Sequence, residues 1–256
     1  MKTLTLEIWL IALFLVASLL HGIAGMGFPL ITIGALSSPY GLTEAIIIVL
    51  VPTAILNLIA WLFGGGSVWY NFSHYLKKYW ALVLVSVISS ALGAYLLLVM
   101  NSAYLMLALA VAVLWYAITS LLGKKIVLPD NLTSLVVVGF IAGVIGGATN
   151  AMSSVLLMYL LSISDDKYTI IKLGNLCYFV NKLAQVVVLK DAIISVPGQT
   201  WGVIGILTML SVVGILIGGR LGGYLPKDKF RLLILVILLL LGIKVGYQGV
   251  QMLWLS

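Results

Sequence analysis

The sequence predicts an all-α protein that crosses a membrane several times, and three observations support this prediction. Apolar residues make up 63% of the 256 residues and charged residues only 8%, against about one half and one quarter in soluble domains. Apolar runs recur at the length of about 20 residues that a spanning helix needs. The basic residues, which give a net charge of +7, lie in short gaps between these runs. Nucleic-acid binding is disfavoured, because it would need these bases on one solvated face.

Six apolar segments have the length of one membrane crossing: 45–63, 79–100, 104–122, 170–189, 201–221 and 230–253. Two further segments, 6–36 and 132–161, are too long for one crossing. The first is interrupted at 21–29 by glycine and proline, which break helices. The second is interrupted at 142–150 by glycine and polar residues. Backbone groups freed at membrane depth need partners in protein or in a water-filled cavity. We therefore expect both segments to be broken, re-entrant helical hairpins that border a site.

The two halves of the chain resemble each other. Three groups of similar residues occur in both halves in the same order, and within each group the two sets of residue numbers differ by a constant. The groups are 23–25 with 141–143, 46–60 with 170–184, and 80–93 with 201–214. The predicted repeats are residues 1–122 and 123–256. Together they are expected to form one transport domain.

The positions of the basic residues distinguish two topologies. With eight plain crossings and a parallel repeat, six bases fall on each side and neither orientation is favoured. If the two broken segments are re-entrant, ten bases share one face, as the positive-inside rule requires. These ten are Lys77, Lys78, Lys124, Lys125, Lys167, Lys172, Arg220, Lys227, Lys229 and Arg231. Each half then has three transmembrane helices plus one hairpin, so the repeats are inverted and both termini are extracytoplasmic.

Each hairpin is expected to place the N-terminus of a half-helix near the middle of the membrane. Free N–H groups and the helix dipole make such an end an anion site. The donors are expected in the turns 25–28 and 146–150, with a proline in the first helical turn after the first of them. The alternative is that the glycines only allow close helix packing. The candidate substrate-binding residues of the two breaks are Gly25, Met26, Gly27, Phe28, Pro29, Gly146, Gly147, Thr149, Asn150 and Ser153.

Polar side chains inside the predicted spans are further candidates. Asn57 and Asn181 hold equivalent positions in the two halves, and either bind substrate or only join helices. Lys182 shares one helical face with Tyr178, Asn181 and Gln185. An ammonium group at this depth is costly, which favours a role in binding an anion unless it extends to the membrane surface. His21 directly precedes the first break and is a candidate for proton coupling, the alternative being a hydrogen-bonded structural role.

The sequence also argues against several chemistries. No predicted span carries paired carboxylates, and the single cysteine, Cys177, cannot build a thiolate metal site. No Walker motif, HExxH or Gly-x-Ser-x-Gly motif occurs. We therefore expect no metal, no cofactor, no nucleic acid and no enzymatic activity. Transport would be passive or driven by another gradient.

Three short glycine motifs, at 21–29, 141–147 and 218–222, resemble those of the TauE/SafE family of sulfite exporters, and the resemblance covers nearly the whole chain. It implies a transporter of a small anion, sulfite or an organosulfonate, in a prokaryotic cell (inner) membrane. It also implies that the motif positions of the family are taken here by Gly25, Gly27, Pro29, Gly146 and Gly147.

The second half departs from the pattern, because it has no counterpart of Pro29 and places Thr149 and Asn150 nearby instead. A carboxylate substrate therefore stays open. The alternative functions are a channel or facilitator for such an anion and a non-transporting accessory subunit. A homo-oligomer is also left open.

Overall fold

A computed structural model describes residues 4–63, 66–123, 129, 131–164, 166–222 and 227–254. These residues fold into helices, without a strand among them. In chain order the helices are α1 (Ile8–Ala24), α2 (Phe28–Tyr40), α3 (Leu42–Phe63), α4 (Val68–Lys78), α5 (Trp80–Val99), α6 (Ser102–Leu121), α7 (Leu132–Thr149), α8 (Met152–Ile163), α9 (Lys167–Val188), α10 (Lys190–Ile194), α11 (Gly198–Leu221) and α12 (Lys227–Trp254).

Five helices in the described part of the chain are long and apolar enough to cross a membrane, namely α3, α5, α6, α7 and α11. The apolar helix α1 is slightly shorter, with 17 residues and a length of about 26 Å. Helix α9 has 22 residues but a more polar sequence, and most of its polar side chains are buried. The prediction of an all-helical, multi-pass membrane protein is confirmed.

Both long segments are broken, but the second break is shorter than the sequence suggested. Helix α1 ends before Gly25 and α2 begins after Gly27, and these glycines have φ angles of 76° and 109°, which glycine adopts readily. Helix α7 continues through Thr149, so only Asn150 and Ala151 separate it from α8. The predicted turn at 146–150 is therefore wrong for residues 146–149, which are helical.

Close packing explains why α7 stays helical through its glycines. Gly147 lies so near α5 that an added Cβ would sit 2.8 Å from the Ala94 nitrogen. The pair α1 and α11 packs in the same way, since a Cβ on Gly218 would sit 3.1 Å from the Gly22 Cα. Small residues let membrane helices approach to such distances. Close packing, which the sequence left as the alternative, thus accounts for Gly147.

The most extensive helix contacts each join one helix of the first half to one helix of the second. Helix α5 packs on α7, α11 packs on α1, and α6 packs on α12. Helices α3 and α9 pack on each other, while α2 lies on α3 and α8 lies on α9. The second arm of each broken segment is therefore held next to the central pair, α3 and α9.

The start of α9 is held by an N-cap outside the apolar part of the helix. The Asp166 carboxylate accepts hydrogen bonds from the Thr169 N–H at 2.8 Å and from the Thr169 hydroxyl at 2.7 Å. These bonds hold the pKa of Asp166 below its ordinary value, because they stabilise the charged form. Two basic residues of the topology argument, Lys124 and Lys125, lie outside the described residues, and the inverted arrangement stays a prediction.

Candidate functional site

A small cavity lies where the two breaks meet the central helices α3 and α9. Its volume is about 10 Å³, enough for about one water molecule. Side chains and backbone from both breaks and both central helices enclose it. The residues that line it are His21, Met26, Gly27, Pro29, Thr53, Asn57, Asn150, Met152, Ser153, Tyr178, Asn181 and Lys182.

Most of the candidates from the sequence lie on this cavity. The residues that do not are Gly25, Phe28, Gly146, Gly147, Thr149 and Gln185. The sequence candidates did not include Thr53, Met152 or Tyr178. The sequence placed Tyr178 on the helical face of Lys182 without naming it as a site residue. Thr53 precedes Asn57 by four residues, so the same spacing could have identified Thr53.

Lys182 is the only lysine among the described residues that line the cavity, and its side chain is buried, with 2% exposed. Its Nζ donates hydrogen bonds to Asn150 Oδ1 and, at 2.6 Å, to Gln185 Oε1. The buried polar side chains of the described residues include no aspartate or glutamate. The ammonium group does not extend to the surface, and neutral amide oxygens rather than a carboxylate surround it.

Two amide side chains of α9 hold the two breaks. Asn175 Nδ2 donates to the Gly25 carbonyl at 2.9 Å, and Gln185 Nε2 donates to the Gly147 carbonyl at 2.7 Å. Carbonyls at the end of a helix lack partners within that helix, so these bonds stabilise the ends of α1 and α7. Gln185 and Gly147, which were predicted to bind substrate, thus lie behind the cavity and shape it.

Three other predicted residues also have local structural contacts. The Thr149 hydroxyl donates to the Ile145 carbonyl of its own helix at 2.7 Å. The Phe28 ring packs edge-on against Phe14, with 5.5 Å between ring centroids. The Gly146 carbonyl accepts the Asn150 N–H at 2.8 Å.

Several polar atoms of cavity residues are buried without a hydrogen-bond partner. Within the described part of the chain they are Thr53 Oγ1, both amide atoms of Asn57, Asn150 Nδ2, Ser153 Oγ and the two ring nitrogens of His21, which lies beside the Asn175 amide. Each such atom costs about 1–3 kcal/mol, so a ligand that pairs with them would recover this energy. Asn181 differs from its repeat equivalent, because its Nδ2 donates to Ser90 Oγ at 2.7 Å.

The N-termini of both short half-helices border the same cavity. Helix α2 begins at Phe28 with Pro29 in its first turn, and α8 begins at Met152. The first N–H groups of a helix have no partner within it and form its positive pole. Two positive poles, one ammonium group and unpaired hydroxyl and amide donors therefore surround one small space. The arrangement suits an anion, and no cluster of metal-ligating side chains occurs in the described residues.

Comparison with known proteins identifies the family of the chain. A family model described as sulfite exporter TauE/SafE matches residues 10–245. No curated protein matches the chain, and no solved structure does. Members of the matching family are transporters and not enzymes, as the absence of catalytic motifs led us to expect. Because the match covers nearly all of these helices, the chain belongs to the sulfite exporter TauE/SafE family.

Proposed function

We propose that this transporter is a secondary carrier of small anions, sulfite or organosulfonates, and that it binds them in the cavity between the two breaks. The observation that carries the proposal is Lys182, an ammonium group that is buried beside the cavity and hydrogen-bonds to neutral oxygens. A buried charge without an opposite charge is costly. A bound anion would supply that opposite charge.

The other groups on the cavity support an oxyanion rather than a cation. Thr53, Asn57 and Ser153 offer hydroxyl and amide donors that are buried and unpaired. The N-termini of α2 and α8 add backbone N–H groups. An anion with several oxygens accepts bonds from several such donors at once, whereas a metal cation would need carboxylates.

The cavity is too small for the proposed substrate, so we infer that it widens when an anion binds. A volume of about 10 Å³ holds about one water molecule and no sulfonate. The side-chain oxygen of Asn150, Oδ1, occupies the position on Lys182 that an anion oxygen would need. We infer that substrate and Asn150 compete for Lys182, and that binding moves the break between α7 and α8.

Inverted repeats would explain how such a site opens to either side in turn. The helix packing supports a repeat. If each helix is replaced by its equivalent in the other half, the pair α5 and α7 becomes the pair α11 and α1, and both of these pairs are packed together. In this proposal the first half is residues 1–122 and the second is 123–256. The breaks are re-entrant, both termini are extracytoplasmic, and the membrane is a prokaryotic cell membrane.

The test is a thermal-shift screen of the purified protein with sulfite, sulfate, thiosulfate, sulfoacetate, taurine and carboxylates. A ligand that binds the native state at about 100 times its Kd stabilises it by about 2.7 kcal/mol. We expect stabilisation by sulfite or a sulfonate, loss of the effect in Lys182→Met, and no loss in Lys244→Met. Lys244 is the matched control, because it lies on α12 and is exposed.

Flux into vesicles that contain the purified protein completes the test. Sulfite flux in the wild type and in Lys244→Met, but not in Lys182→Met, would support the proposal. Equal flux in both variants would remove Lys182 from the site. A lack of stabilisation and of flux with every anion would contradict anion transport, and selective stabilisation by a carboxylate would change the substrate class.

A further inference from the structure

The imidazole of His21 is the second ionisable group that faces the cavity from a broken helix. It lies in the last turn of α1, four residues before Gly25, and 1% of its surface is exposed. In the described structure neither ring nitrogen makes a hydrogen bond of good geometry, and the side-chain amide that lies beside the ring is that of Asn175. A neutral imidazole carries one donor and one acceptor. The Asn175 amide nitrogen already donates to two backbone carbonyls, so Asn175 can serve only the donor of the ring, and the acceptor nitrogen is left to bind a proton.

We propose that His21 is the proton site of the transporter, and that it takes up one proton when the anion binds beside Lys182. This inference rests on the proposed function and adds a coupling ion to it. The proton binds a ring nitrogen of His21 as the anion enters, and the imidazolium then donates to an anion oxygen. The proton and the anion leave together when the cavity opens on the other side of the membrane, so one proton is carried with each anion.

Electrostatics couples the two binding events. His21 and Lys182 line one small cavity, so a second positive charge is unfavourable while the cavity is empty. An anion between them attracts both cations and removes this penalty. By linkage, if the anion favours the proton, the proton favours the anion to the same extent. The position of His21 in the last turn of α1 also suits a cation, because this end of the helix dipole is negative.

No other ionisable group near His21 explains such coupling better. Helix α9 contributes Lys182 and the Tyr178 phenol to the cavity, and the Asn175 amide lies beside the imidazole. Helix α11 carries one ionisable side chain, the exposed Arg220. Helix α2 carries only Tyr40, at its far end, and α3 carries only Glu44, near its beginning. No carboxylate therefore faces His21 from these helices in the described chain.

The experiment counts protons. Calorimetric titrations with methanesulfonate, whose charge is fixed, and with sulfite are run in two buffers with different enthalpies of ionisation. Near about pH 7.5, above the ordinary range of histidine, we expect the wild type to take up about one proton more per anion than His21→Gln does. His74→Gln is the matched control, because His74 is the other histidine and lies on α4, and it should keep the wild-type proton count.

The pH profile of the wild type provides a second measurement that needs no variant. The affinity for methanesulfonate should fall by about tenfold per pH unit between the pH at which His21 loses its proton in the empty protein and the higher pH at which it loses it in the complex. Because burial beside Lys182 opposes the charge in the empty cavity, this fall should begin below the ordinary range of histidine. A profile that is flat between about pH 5.5 and 8 would overturn the inference. Equal proton uptake in the wild type and in His21→Gln would overturn it too, and would assign the proton to Lys182 or to the anion. Absence of anion binding to the wild type would instead overturn the proposed function, and this inference with it.

Discussion

A carboxylate at position 150 should block the proposed anion site directly. Asn150 Oδ1 already contacts the Lys182 ammonium group inside the cavity. The substitution Asn150→Asp keeps the size of the side chain and replaces this amide oxygen with a charged one. The backbone there has a φ of 62°, a conformation that asparagine and aspartate both adopt. The change therefore alters the charge at Lys182 and leaves the local fold in place.

The expected loss of affinity follows from the charge of the competitor. Two unit charges about 4 Å apart interact by about 4 kcal/mol at the effective dielectric constant of about 20 that describes protein sites. A substrate anion must displace this new ion pair to reach Lys182. Because each 1.4 kcal/mol corresponds to a factor of ten, the affinity for the anion should fall by about a thousandfold.

The assay is a calorimetric titration of the wild type, Asn150→Asp and Asn150→Gly with the anion that best stabilises the wild type. Glycine accepts the positive φ and removes the competing oxygen without adding a charge. We expect Asn150→Gly to bind within about tenfold of the wild type, because it loses one competitor and one donor of similar strength. Wild-type affinity in Asn150→Asp would refute the assignment of Lys182 as the group that holds the anion. An equal loss in both variants would refute the competition between Asn150 and substrate.

Three further predictions concern how the site is supported. Gly93→Ala should lower the stability by about 1–3 kcal/mol in a detergent unfolding experiment, since the added Cβ would sit 2.9 Å from the Ala148 nitrogen of α7. The matched change Gly205→Ala, whose Cβ would have no atom within 4 Å, should cost nothing measurable in the same experiment. Asn71→Ala should lower the stability by about 1–3 kcal/mol. The buried Asn71 side chain donates to the Leu62 carbonyl at 2.8 Å and accepts from Lys172 Nζ at 2.9 Å. An unchanged unfolding midpoint would show that these bonds contribute nothing. Gln185→Leu should lower the thermal midpoint and weaken anion binding, because it frees a carbonyl at the end of α7 and removes one acceptor of the Lys182 ammonium; normal binding with normal stability would contradict this role.

The sequence by itself determined the fold class, the interruptions of two long apolar segments and the presence of a lysine inside an apolar helix. An all-helical membrane protein follows from 63% apolar and 8% charged residues, because only lipid can surround such a surface. Gly25, Gly27 and Pro29 identified the first break correctly, since their backbone preferences are local. Lys182 was identified because a lysine inside an apolar run is rare for a reason that any membrane imposes.

The tertiary structure decided which polar residues share one space. Residues 21, 57, 150 and 182 are far apart in the chain, and only helix packing brings them to one cavity. It also separated residues that the sequence treated alike: Asn57 has unpaired atoms on the cavity, while the equivalent Asn181 is bonded to Ser90.

Glycine patterns illustrate the same limit. A glycine-rich stretch such as 142–150 predicts either a turn or a close helix contact, and local preference cannot distinguish the two. The contact with α5 decided for a helix through Thr149 and moved the second break to Asn150. The ends of helices in a membrane depend on which neighbour supplies partners for their free backbone groups. Asn175 and Gln185 supply them here, and their partners lie 150 and 38 residues away in the chain, beyond the reach of any local pattern.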